Sequence, residues 1–109
     1  MSKAFRALIR HGDGAGGAGG DPVVTVEGEI DLHTASQLDD ALRAAAERNE
    51  RITVDLSGVQ YLDSAAVRVL FLHAARLKLV LVVPQDSIVY PVISVCGLGR
   101  VATVRTVRA

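Results

Sequence analysis

Apolar and polar positions along this chain repeat with two different periods. Residues 3–10 alternate loosely, which predicts a first strand. Val23 to Glu27 alternates more clearly, with Pro22 at its start, where a missing donor matters least. Gly28 and Asp31 interrupt that pattern. From Thr34 the period lengthens: Ala35, Leu38, Ala41, Leu42 and Ala45 recur at helical spacing. Thr34 followed by Gln37 has the form of a capping box, so the first helix is expected over about residues 34–48. Arg51 to Leu56 returns to alternation, with Ile52, Val54 and Leu56 on one face, and Ser57-Gly58 reads as a turn. Residues 65–76 then read as a second helix opened by Ser64, because serine is among the best N-caps. Leu79 to Val83 is a continuous β-rich run of the kind found in buried parallel strands, ended by Pro84. Pro91 and Gly97 bracket a short helix, with a strand as the alternative because Val92, Ile93 and Val95 are β-branched. Val101 to Val107 is a last strand.

Strands alternating with helices predict an α/β domain with a mixed sheet of about four to five strands packed by helices. The 109 residues suit a single domain, 1–109. Within it, six of the nine residues 12–20 are glycine, which predicts a flexible loop. A phosphate-cradling loop is disfavoured there. The segment lacks the Gly-Lys-Ser/Thr ending and leads into a strand rather than a helix.

Half the residues are apolar, and 12 basic side chains balance 12 acidic ones. A formal net charge of zero gives no global electrostatic case for nucleic acid or an anionic membrane. Arg100, Arg105 and Arg108 are spaced as a solvated face. No apolar run approaches the roughly 20 residues that span a bilayer. Cys96 is the only cysteine, so no intramolecular disulfide forms. The cytoplasm is the expected location.

Metal and catalytic chemistry find little support. His11, His33 and His73 lack zinc-type spacing. Glu29, Asp31, Asp55 and Asp63 each fall at or near an expected strand end, where they read as solvated acids before a cation site. No catalytic triad motif is present, and Tyr61 is expected to pack. No cofactor, metal or enzymatic activity is expected. The second helix is apolar nearly all round, so it needs cover on more than one side: sheet, neighbouring helix or partner.

Two segments resemble the STAS family, named for sulfate transporters and anti-sigma factor antagonists. Gly28-Glu29-Ile30-Asp31-Leu32-His33-Thr34-Ala35 is similar to the family's Gly-Glu-Leu/Ile-Asp turn before its first helix. Asp55-Leu56-Ser57-Gly58-Val59-Gln60-Tyr61-Leu62-Asp63-Ser64 resembles its strand, Asp-Ser pair and following helix. In the antagonist branch, the serine after this aspartate is phosphorylated by the anti-sigma factor, itself a serine kinase. The resemblance therefore implies Ser64 as phosphoacceptor and Asp63 as its acidic neighbour. It also implies a partner surface of Asp31, His33, Thr34, Asp63, Ser64, Ala65, Ala66 and Arg68. A serine phosphatase would reset the switch.

Two departures stand out. Ala65-Ala66 replaces the family's usual Ser/Thr/Ala-Gly, which stiffens the junction, and a last helix found in many relatives is expected to be missing. The surface so exposed favours a homodimer or a permanent partner.

Overall fold

In a computed structural model, which describes residues 4–10 and 21–108, five strands form one sheet in the order of the chain. β1 (Arg6–Arg10) runs antiparallel to β2 (Val23–Ile30). β3 (Arg51–Leu62), β4 (Lys78–Pro84) and β5 (Thr103–Val107) follow, each parallel to the strand before it. The connections are α1 (Ala35–Ala46), α2 (Ser64–Ala74) and α3 (Val89–Val95), the last followed by a 3-10 turn, Leu98–Arg100. The glycine-rich segment 12–20 and His11 lie outside the described residues.

Parallel crossovers share one hand. Because the strands are added in one direction, all three helices fall on the same face of the sheet. Burial agrees. Val24 and Val26, Ile52 and Val54, and Leu79 and Leu81 form the covered face, joined by Leu38 and Leu42 of α1, Leu70 of α2 and Ile93 of α3 in a single core. Each fully buried Leu or Ile contributes about 1.5–3 kcal/mol relative to an exposed one. On the other face, Val23, Thr25, Thr53, Asp55, Val80 and Val82 are half-buried by their neighbours in the sheet.

The largest departure from expectation is β3. Ser57-Gly58 is not a turn, and the strand runs through it for 12 residues. Between Thr25 and Glu27, β2 takes two steps while β3 takes three, from Asp55 to Gly58; between Gly28 and Glu29, β2 takes one step against two, from Val59 to Tyr61. Each bulge adds one residue to β3 and resets its alternation. Leu56, Val59 and Leu62 therefore all face the core at a spacing of three instead of two. Glycine serves both sides of this region. Gly28 has φ 89°, and a Cβ on Gly58 would sit 2.9 Å from Glu27 Cγ.

Other boundaries moved less. β2 continues through Gly28 to Ile30. The expected Thr34–Gln37 capping box does not form, and α1 spans Ala35–Ala46 with no side-chain cap. The segment after Pro91 is helical and not a strand, but α3 spans Val89–Val95, so Pro91 sits in the first turn, where its missing N–H needs no partner. Gly97 stops it with φ 90°.

Candidate functional site

The loops that leave β2 and β3 meet at the carboxyl end of the parallel strands, where ligand sites of open α/β sheets gather. Ile30 pairs with Leu62, and the Asp63 N–H donates to the Ile30 carbonyl at 3.1 Å. Asp31 and Asp63 thus leave neighbouring strands together, and each organises the turn that follows it.

Asp63, not Ser64, caps α2. Its backbone is extended (φ −106°, ψ −174°), and its Oδ1 accepts the N–H groups of Ala65 at 2.9 Å and Ala66 at 3.3 Å. Both residues of the Asp-Ser pair are good caps. The one placed first wins, because the carboxylate forms charge-assisted bonds at the positive end of the helix. Ser64 becomes the first helical residue. Its side chain is exposed, and its hydroxyl takes no part in the cap.

Asp31 plays the matching part before α1. Its Oδ1 accepts the N–H groups of His33 at 2.9 Å and Thr34 at 3.0 Å. The Thr34 hydroxyl turns back into the loop, accepting the Asp31 N–H at 2.9 Å and donating to the Glu29 carbonyl at 3.1 Å. That use of the hydroxyl is why it is unavailable as a helix cap. Desolvation pushes the Asp31 carboxyl upward, but the hydrogen bonds from Thr34 and His33, with the His33 charge, outweigh it and hold the carboxyl below its ordinary value. Two turns, each organised by a carboxylate, therefore begin side by side at the strand end from which Ser64 opens α2.

The expected partner residues separate by burial. His33, Ser64 and Arg68 are exposed, while Asp31, Thr34, Asp63 and Ala65 are half-buried. Ala66 is a correction: it is wholly buried, its methyl belongs to the core, and it offers a partner no side-chain surface. Arg68 stands four residues after Ser64, on the same face of α2. Asp55 is a second correction. It lies in mid-strand opposite Thr25 and Val82, away from Asp31 and Asp63. Among the described residues, no group of three or more His, Cys, Asp or Glu side chains is arranged to hold a metal.

Three residues at or beside the site carry more than the sequence suggested. Tyr61 was expected to pack, but the second bulge turns it outward and leaves it 47% exposed. Leu32, between Asp31 and His33, is 74% exposed. Its apolar side chain inside a polar turn was the signal available in the sequence. His73 of α2 is buried and lies 2.6 Å, through Nε2, from Oδ1 of Asp39 on α1; Arg43 holds the other oxygen of that carboxylate at 2.9 Å. This tie fixes the two helices that carry the site. Its partners stand 34 residues apart, beyond the reach of any local pattern.

The architecture and this junction define a STAS domain. A family model described as "Mlab, STAS domain" matches residues 14–89, and the chain belongs to that family. It is 32% identical, over 95% of its length and 82% of the relative's, to the anti-sigma-F factor antagonist RsfA of Mycobacterium tuberculosis. Among solved structures, it superposes on an anti-sigma factor antagonist from Mycobacterium paratuberculosis with a TM-score of 0.78 at 27% identity, covering 94% of this chain and 86% of that one. An antisigma-factor antagonist STAS domain from Rhodobacter sphaeroides shares the fold, with a TM-score of 0.51 at 17% identity and coverage of 94% and 85%. No helix among the described residues is long and apolar enough to cross a membrane.

Proposed function

We propose that this protein is an anti-sigma factor antagonist acting as a binding module rather than an enzyme. It captures an anti-sigma factor, frees the sigma factor, and is switched by phosphorylation at Ser64. The observation that carries this reading is the exposed Ser64 hydroxyl, left out of the cap by Asp63, in a chain 32% identical to an anti-sigma-F factor antagonist. The partner is an anti-sigma factor with serine kinase activity, and a serine phosphatase restores the binding form. Neither nucleic acid nor membrane takes part, and the exchange occurs in the cytoplasm.

The chemistry supports a switch that alters binding and spares the fold. A phosphate adds about −1.5 to −2 charges. At Ser64 it would stand beside Asp63, at the strand end that Asp31 also leaves, concentrating negative charge on a surface complementary to a neutral hydroxyl. Arg68, one turn further along α2, supplies a counter-ion on the same face. The helix therefore keeps its structure while the interface loses its match.

Incubation with ATP and the cognate anti-sigma kinase is expected to add one phosphate, read by intact mass and lost in Ser64→Ala. Ser64→Asp is expected to retain the wild-type melting temperature and to weaken partner binding. Equal partner affinity for Ser64→Asp and wild type would defeat the switch. A second reading, a STAS interaction module that is never phosphorylated, draws on the cap itself. Asp63 already occupies the amides of Ala65 and Ala66, leaving them unavailable to a phosphate. No phosphate at Ser64, with partner binding intact, selects that reading.

A further inference from the structure

We propose that the sheet face left bare by the helices is where a second copy of this chain docks. β2 to β5 are parallel, and parallel sheets are ordinarily covered on both faces. Here the helices cover one. On the other, the strand registers align a row across the whole sheet: Leu8, Thr25, Asp55, Val82 and Arg105. Beside it, Val80 stands between Thr53 and Thr103. The middle of β4 is thus an apolar stripe with an acid on one flank and a base on the other.

Asp55 and Arg105 each lie one strand from Val82, about 4.8 Å to either side. Two such faces packed in aligned fashion, with a two-fold axis running along β4, place Val82 on Val82 and Val80 on Val80. The same axis sets each Asp55 opposite Arg105 of the second copy, twice. Centring the pair on β3 would oppose Asp55 to itself, and an axis across the strands would oppose Arg105 to itself. Like charges directly opposite are destabilising, so the two Asp55–Arg105 pairs favour the axis on β4; Lys78 also meets its copy on that axis, but at the exposed start of the strand, where its long side chain can keep the ammonium group in water.

Both groups are free to pair. The ion pairs formed among the described residues are Asp39–Arg43, Asp39–His73 and Asp21–Arg51. Asp55 spends Oδ1 on the Ser57 N–H at 3.0 Å, which leaves Oδ2 for a partner. Only three strands of each sheet overlap, less than the roughly 800 Å² per partner of a standard interface, so association is reversible. Ser64 lies at the end of the strands rather than on this face and stays accessible in the dimer.

Sedimentation velocity of the full chain, from micromolar to near-millimolar concentration, tests this. Wild type is expected to form a concentration-dependent dimer. Asp55→Arg and Arg105→Asp are each expected to weaken it by about tenfold or more. Mixing the two single variants restores association as a heterodimer, and combining both changes in one chain restores the homodimer. Circular dichroism verifies folding. Should a charge swap fail to fold, Val82→Lys sets two ammonium groups on the axis and is expected to dissociate the pair. A monomer at every concentration overturns the proposal, as does a dimer indifferent to these changes or singles that do not recover on mixing. A monomer whose capture of an anti-sigma factor requires Val82 overturns it in favour of a different occupant. Ser64→Asp leaves the dimer unchanged, so this result stands apart from the phosphorylation switch.

Discussion

At Asp63 and Ser64, two adjacent residues of similar capping ability divide structure from signalling. Asp63 accepts two helix amides and holds α2 in place, while Ser64 is left exposed beside it. Asp63→Ala is expected to cost about 1 kcal/mol in denaturant unfolding, the usual loss of a cap. Ser64→Ala is expected to stay within about 0.5 kcal/mol of wild type, as exposed substitutions generally do. A serine cap would reverse that order. The sequence reading gave the cap to Ser64; both residue types cap well, and one position of register separates them. Ala66 was obscured for a similar reason: its place two residues after Ser64 gave no sign that the helical period turns its methyl inward.

Helices were more legible than strands. Leu38 and Leu42 in α1 mark its buried face directly, whereas α2, apolar nearly all round, showed its helical character without showing which face is buried. β3 was not legible as one strand, because Ser57-Gly58 has turn chemistry and the bulges convert a spacing of two into three. The trio Leu56, Val59 and Leu62 was the visible trace of both bulges. The cost of this geometry falls on glycine. Gly28→Ala is expected to destabilise the domain by about 1–2 kcal/mol, because φ 89° is a left-handed backbone conformation that a residue with a Cβ rarely adopts. The same change at Gly99, which has no positive φ, is expected to cost less. Paired thermal melts of the two variants check the contrast.

For the whole molecule, acid is the condition that probes long-range contacts. The Asp39 carboxyl is held below its ordinary value of 3.8, first by the His73 hydrogen bond and then by Arg43, against the upward pull of burial. A carboxyl with a lowered folded-state value contributes stability that is present above 3.8 and drains as pH falls through the lower folded value. Asp31 acts in the same direction. Unfolding free energy is therefore expected to fall as pH drops through the ordinary carboxyl value of 3.8 and below it, and Asp39→Asn is expected to flatten that slope. Denaturant titrations at a series of pH values measure it; an unchanged slope would show that the α1–α2 tie carries no linkage.

The order of the sheet has a temporal consequence. Each strand pairs with the one made just before it, so no β-pairing skips over an intervening strand. The chain can assemble in the direction of its synthesis: the β1–β2 hairpin first, then one strand and one helix at a time. At every stage the growing sheet presents a single new edge to the next segment, and each parallel pairing then waits only for its own helical crossover to be made.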